Sequence, residues 1–242
     1  MLKKNIKDLV HKIGFELHRL TPGTNPFFQL LKGLDRFGVD LVLDIGANAG
    51  QFAQDLRSMG YKKQIVSFDP LSDAYRALTA ASARDAKWTV HQRGAIGDYD
   101  GEIEINISGN SVSSSVLPML DAHSTASLDS AYIGSEKVSI FKLDSVASNY
   151  TKSVHRYFLK IDTQGYEAKV LDGATETLKN AQGVLCELSL VPLYEGQLLW
   201  LDLIERLERM GFTLWAIQPG FSDPRDGRTL QVDAIFFRLE DK

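Results

Sequence analysis

Several strand-like stretches of this chain carry charge where a buried strand should carry none. In Val42-Leu43-Asp44-Ile45-Gly46-Ala47-Asn48-Ala49-Gly50-Gln51-Phe52 a carboxylate stands two residues before a glycine turn. In Ile65-Val66-Ser67-Phe68-Asp69-Pro70 a second carboxylate ends the next apolar run. In Phe158-Leu159-Lys160-Ile161-Asp162 a lysine and an aspartate alternate with apolar residues, and Glu187 lies in the run Gly183–Leu188 that follows. Burying charge is costly unless it is paired. These acids must therefore meet a cation or a ligand.

A strand, a glycine turn and a helix start together form a seat for a small anion and for close backbone approach. A dinucleotide site would read G-x-G-x-x-G, whereas Asn48 stands here in place of the middle glycine. Asp44 would repel a pyrophosphate but attract a cation. S-adenosylmethionine meets both conditions, having no phosphate, an ammonium, a carboxylate and a sulfonium. Asp44 is expected to engage the ammonium, directly or through water, and free N–H groups of the turn to receive the carboxylate. Gly46 and Gly50 let the chain bend against the ligand without a Cβ. The donor-binding residues expected here are Asp44, Gly46, Ala47, Asn48, Gly50 and Phe52. Asp69, followed by Pro70, stands about 20 residues further on, where ribose hydroxyls are usually read. NAD also has a ribose, so Asp44 and not Asp69 separates the two ligands. The bland alternative for Asp44 is a turn or helix-capping carboxylate.

The elements that must hold these residues alternate. Residues 41–46, 64–69, 88–95, 157–162 and 183–188 read as strands, and 50–59, 74–83, 166–179 and 198–210 as helices. Residues 212–217 and 232–239 close the chain as a hairpin. Strands separated by helices predict βαβ units and a parallel sheet. Residues 98–153 break the alternation and read as an inserted β-hairpin or flap with a serine-rich loop at 111–115. Residues 1–25 read as an amphipathic helix and linker, and 26–242 as one domain. Leu2, Ile6, Leu9, Val10, Ile13 and Leu17 recur at helical spacing opposite Lys3, Lys4, Lys7 and Lys12. That helix is expected to pack on the domain or a second subunit, as in a homo-oligomer, or to touch an anionic membrane surface weakly. The 242 residues are 44% apolar and 24% charged, with a net charge of −4 that gives no basic footprint for nucleic acid. The single Cys186 leaves no internal disulfide and fits a reducing, cytoplasmic setting. No secretory signal and no run long enough to span a membrane is expected.

The ordered set DIGANAGQF, FDP, Arg93-Gly94-Ala95-Ile96-Gly97-Asp98, Ser113-Ser114-Ser115, LKIDTQGYEAKVLDGA and CELSLVPLYEGQ resembles the FkbM-type methyltransferases, from about Val39 to Phe237. The resemblance implies a Rossmann-like methyltransferase fold: a seven-stranded, mostly parallel sheet of order 3-2-1-4-5-7-6, its last strand antiparallel, with helices on both faces. It implies S-adenosylmethionine as methyl donor and O-methylation as the reaction. By position Ala95 and Ile96 would flank the adenine.

Methyl transfer requires an acceptor oxygen held near the reacting methyl and a group to manage its proton. Phe158, Lys160 and Asp162 share one strand face. Asp162 and Glu187 would end neighbouring strands beside the topological switch point. Either could act as general base, because crowded carboxylates have raised pKa values. Lys160 could balance them or stabilise an alkoxide. A divalent ion between Asp162 and Glu187 is a further way to orient a hydroxyl, though no metal is assigned. The bland alternatives are that Asp162 caps the helix near Gly165 and that Lys160 pairs with Glu187. Tyr194, Glu195 and Gln197, beyond the fifth strand, are expected to contact acceptor hydroxyls. The resulting expectation is an S-adenosylmethionine-dependent O-methyltransferase acting on a sugar, a glycan or another small-molecule metabolite. The rivals are an NAD-dependent oxidoreductase and a donor-binding subunit without turnover.

Overall fold

A computed structural model describes residue 7 and residues 9–239. The main sheet has strands β1 (Leu41–Ile45), β2 (Gln64–Phe68), β3 (Trp88–Val90), β7 (Tyr157–Ile161), β8 (Gly183–Ser189), β9 (Thr213–Pro219) and β10 (Gln231–Phe237). A second, three-stranded sheet holds β4 (Ala95–Gly97), β5 (Gly101–Ser108) and β6 (Tyr132–Lys142) in the order β4-β6-β5. The main sheet runs β3-β2-β1-β7-β8-β10-β9, which is 3-2-1-4-5-7-6 when its own strands are counted in chain order. β10 is antiparallel to both of its neighbours, and β1, β2, β3, β7 and β8 pair in parallel.

β1 shows why these runs become central strands. Leu41, Leu43 and Ile45 join the apolar cluster on one sheet face, and Val42 joins the cluster on the other. A strand covered on both faces reads as a continuous apolar run. Asp44 is therefore the exception that needs a partner. The helices Thr175–Asn180 and Trp200–Arg209 contribute Leu178, Leu203 and Leu207 to the first cluster. Pro26–Arg36 and Gln51–Ser58 contribute Leu30, Leu34, Ala53 and Leu56 to the second.

The structure differs from the sequence reading in four places. A helix absent from the expected pattern, Pro26–Arg36, precedes β1; Asn25 caps it by accepting from Phe28 N–H at 2.8 Å and Pro26 opens it. The third strand stops at Val90, and Ala95–Gly97 leaves the main sheet to pair with β6. The insertion is thus a small sheet that begins before residue 98. The helix expected over 166–179 is two helices, Glu167–Asp172 and Thr175–Asn180. They break at Gly173, where a Cβ would meet the Gly97 carbonyl oxygen at 1.8 Å. Asp144 then caps the second helix by accepting from Glu176 and Thr177 N–H.

Leu2, Ile6, Lys3 and Lys4 of the expected N-terminal helix lie outside the described residues. Leu9, Ile13, Phe15, Leu17 and Leu20 are exposed, not packed on the domain. Among the described residues no helix is long and apolar enough to cross a membrane.

Candidate active site

A cavity of about 600 Å³ opens at the carboxyl ends of the parallel strands, across the switch point between β1 and β7. Its donor-side rim is the turn after β1. Gly46, Asn48 and Gly50 have φ of +76°, +48° and +89°. A Cβ on Gly46 would lie 1.8 Å from the Asp162 carbonyl oxygen, so this glycine lets the turns after β1 and β7 touch.

The expectation of free N–H groups in this turn is corrected. Gly46 and Ala47 donate to the Phe68 carbonyl, Gly50 donates to Ala47, and Asn48 N–H donates to Asp69 Oδ2 at 2.7 Å. The helix Gln51–Ser58, by contrast, has no side-chain cap. The first N–H groups of a helix have no partner within it, and Gln51 and Phe52 line the cavity there.

Asp44 is 0% exposed and does not line the cavity, so it does not meet a ligand directly. Its Oδ2 accepts from Ser67 Oγ at 2.9 Å, and Ser67 Oγ accepts from Trp88 Nε1 at 2.9 Å. An indole N–H only donates, so the serine proton must point at Asp44. Asp44 Oδ1 faces Lys160 Nζ at 3.3 Å. Oδ2 thus takes a hydrogen bond, while Oδ1 takes none and lies against the Lys160 ammonium; burial pushes the Asp44 pKa up, and Lys160 and Ser67 pull against it. Burial pulls Lys160 down, but Asp162 and Asp44 outweigh it and hold the ammonium above its ordinary value.

Lys160 lines the cavity where Asp44 does not. Its Nζ donates to the Gly46 carbonyl at 2.8 Å, faces Asp162 Oδ2 at 3.4 Å and sits 5.6 Å from the Phe52 ring centre. Its ion-pair partners are Asp44 and Asp162, not Glu187.

Asp69 ends β2 on the same rim. Its Oδ2 holds Asn48 N–H and its Oδ1 holds Leu71 N–H at 3.0 Å, leaving each oxygen a lone pair for a further donor. Burial raises its pKa to about 7, with the two backbone N–H groups pulling against it. Pro70, Leu71, Ala95 and Ile96 line the cavity beside it.

At the other end, one amide joins two carboxylates. Gln164 Nε2 donates to Asp162 Oδ1 at 2.8 Å and to Glu187 Oε2 at 2.9 Å, while Gln164 Oε1 accepts from Tyr194 OH at 2.8 Å. Gln231 Nε2 also donates to Glu187 Oε2, at 2.7 Å. Burial pushes the Glu187 carboxyl well up, reinforced by the charges of Asp162, Glu167 and Asp233. Glu167, not Asp162, closes the turn after β7, its Oε1 accepting from Thr163 and Gly165 N–H.

The loop 109–116 roofs the cavity. Asn48 Nδ2 donates to Ser111 Oγ at 3.3 Å, and Ser115 Oγ donates to the Gln164 carbonyl at 2.6 Å. Among the described residues Asn48, Ser111 and Gln164 are the three non-glycine residues with positive φ. All three line this cavity. Backbone strain of this kind, which costs of order 1–3 kcal/mol per residue, gathers at ligand clamps.

Three expected acceptor contacts are not in the cavity. Tyr194 is fully buried and acts behind Gln164. Glu195 is exposed, and Gln197 Oε1 accepts from Leu193 and Tyr194 N–H to close its own turn. Sequence reasoning missed Gln164, Gln231 and Asp233, which do line the cavity. The signal for Asp233 was present, since it is a carboxylate inside an apolar strand, as Asp44 is. Among the described residues no cluster of three or more His, Cys, Asp or Glu side chains could hold a metal ion.

Comparison with solved structures finds similarity to a putative RNA methyltransferase from Pyrococcus horikoshii (14% identity, TM-score 0.47, covering 98% of this chain and 100% of that one). An rRNA methylase from Streptococcus thermophilus is similar at 10% identity and TM-score 0.48, over 93% and 100% of the two chains. A SAM-dependent methyltransferase from Aquifex aeolicus is similar at 12% identity and TM-score 0.45, over 91% and 100%. No curated protein matches the chain. The family model described as the methyltransferase FkbM domain matches residues 44–214, from the buried aspartate of β1 into β9. With most of its length inside that match, the chain belongs to the FkbM methyltransferase family.

Proposed function

We propose that this protein transfers a methyl group to a hydroxyl of a neutral acceptor: a sugar, a glycan or a hydroxylated secondary metabolite. Family membership makes it a methyltransferase with S-adenosylmethionine as donor, and the NAD alternative falls with it. The observation that carries the finer reading is the charge at the acceptor end. Asp162, Glu187 and Asp233 line it, and Lys160, the one Lys or Arg among the described lining residues, is already engaged by Asp44 and Asp162. Hydroxyl groups donate to carboxylates, whereas a phosphate would find no free cation there.

The residues of the donor end fit the donor. Ala95 and Ile96 offer an apolar wall for adenine, and Asp69 has lone pairs for ribose hydroxyls. The uncapped helix start suits the donor's carboxylate, and Asp162 suits its positive charge. When bound, the donor supplies a methyl group on a sulfonium, which departs as a neutral thioether.

The protein's own part is positioning and proton management. Glu187 and Asp162 receive and orient acceptor hydroxyls, and Gln164 fixes the two carboxylates against each other. Lys160 ties β7 to the donor turn through the Gly46 carbonyl, so donor and acceptor ends share one rigid rim. Holding two reactants in line this way removes much of the entropic part of the barrier.

The test supplies labelled S-adenosylmethionine with methyl glycosides, oligosaccharides and RNA. Label in a methyl ether of the carbohydrate pool is expected, with Glu187→Gln and Asp162→Asn lowering transfer far more than donor affinity. Label in RNA alone, or turnover unchanged in both variants, contradicts the reading.

A further inference from the structure

Among the described residues two acids of the cavity are not used by the fold: Asp55, which is exposed at its rim, and Asp233, which is half-buried on a central strand. Asp233 lies on β10 in register with Glu187 of β8 on one side and Gln218 of β9 on the other, and it lines the acceptor end. Every neighbouring acid has a structural partner. Glu187 Oε2 accepts from two amides, Asp162 accepts from Gln164 and faces Lys160, and Asp44 is held by Ser67 and Lys160. Asp69 and Glu167 each accept backbone N–H groups. Among the described residues no hydrogen bond or ion pair reaches the Asp233 side chain, and Lys160 acts on it only at longer range. A carboxylate within the run Val232-Asp233-Ala234-Ile235 costs stability, and no hydrogen bond to its side chain within the fold offsets it.

We infer that Asp233 is the catalytic base, taking the proton of the acceptor hydroxyl; the inference rests on the O-methylation reading above. The step balances on groups already named. A lone pair of the acceptor oxygen forms the new O–CH3 bond, and the S–CH3 bond breaks with its electron pair staying on sulfur. The O–H proton passes to an Asp233 carboxylate oxygen and then to water.

The groups facing Asp233 suit this role. Glu187 stands beside it on β8, Lys160 and Asp162 belong to β7 and its end, Gln218 on β9 is neutral, and His123 lines the same cavity. Burial and the Asp162 charge push the Asp233 carboxyl up to about 7, with Lys160 pulling the other way. A base is most effective when its pKa lies near the working pH.

The experiment compares full-length wild type with Asp233→Asn, which keeps shape and removes the base, and with Asp233→Glu, which returns it. Calorimetry with S-adenosylhomocysteine should give the same affinity for wild type and the Asn variant, establishing that both fold and bind. In carboxyl 13C NMR of that complex, the aspartate resonance missing from the Asn variant should titrate near neutral pH in wild type. A midpoint below about 5, close to an ordinary aspartate, overturns the assignment. Methyl transfer to a panel of methyl glycosides should fall about 10²–10⁴-fold in Asp233→Asn, with the acid limb of the kcat/KM profile lost and partly restored by Glu. Equal transfer by wild type and the Asn variant overturns the base while leaving O-methylation standing. No transfer by wild type to any hydroxyl compound overturns the O-methylation reading and this inference with it.

Discussion

Replacing Lys160 by methionine should cost the protein stability far beyond an ordinary surface change, and the loss should depend on pH. Lys160 is 4% exposed and its partner Asp44 is 0% exposed. Without the ammonium, Asp44 Oδ1 faces no donor and only Ser67 remains on Oδ2. Removing one member of a buried pair costs about 3–5 kcal/mol, because the other charge is left desolvated. At roughly 2–4 °C per kcal/mol for a chain of this size, the melting temperature should fall by about 6–20 °C. The sign of the pH dependence follows from Asp44. Burial already raises its pKa in the native state, and losing Lys160 raises it further, while the unfolded chain keeps the ordinary value. Native protein then holds the extra proton, so this stability is fully present below the unfolded pKa and is lost as pH rises toward the folded one. Urea denaturation should therefore find Lys160→Met least stable at neutral pH and recovering as pH falls toward about 4. Adding Asp44→Asn should recover part of the loss at neutral pH, since the uncompensated charge is gone. A penalty under about 1 kcal/mol, the size of an exposed pair, would refute the ion pair as the reason for Asp44. So would a loss that is flat with pH, or a double variant no better than the single one.

Further outcomes follow from the same geometry. Gly46→Ala should destroy donor binding, because its Cβ would sit 1.8 Å from the Asp162 carbonyl oxygen at a φ of +76°; calorimetry with S-adenosylhomocysteine reads this, and measurable affinity would refute the tight turn. Donor affinity should weaken as pH falls below about 7, where Asp69 gains a proton and loses acceptor capacity for ribose hydroxyls. In Asp69→Asn, binding should be at least tenfold weaker, about 1.4 kcal/mol, and flatter with pH over that range. Gln164→Gly keeps the left-handed backbone but removes the amide that links Asp162 to Glu187, so turnover should fall at least tenfold while donor binding holds. Glu195→Ala should change neither, because that side chain is exposed outside the cavity.

The sheet was legible because its signal is local. Apolar runs such as Leu41–Ile45 and Tyr157–Ile161 are buried on both faces and read as strands without help from distant residues. The charges within them were legible as oddities, but their partners were not. Asp44 and Lys160 meet across 116 residues of sequence because β1 and β7 pair in register, a fact no local pattern carries. The same holds for Asp233, whose place beside Glu187 depends on the antiparallel return of β10. Tyr194 and Gln197 were misplaced for the converse reason: polar atoms past a strand end were read as facing ligand, when they satisfy Gln164 and backbone N–H groups instead. The helix Pro26–Arg36 was readable from Asn25-Pro26, a cap followed by a proline at the first helical position.

The most direct test of the account follows the methyl group itself. Purified protein with S-adenosylmethionine carrying 13C in the methyl group, offered methyl glycosides and RNA together, should give a new carbohydrate O–CH3 resonance and leave RNA unlabelled. Label on RNA with none on any hydroxyl of the glycosides would contradict a cavity built for neutral hydroxyl acceptors.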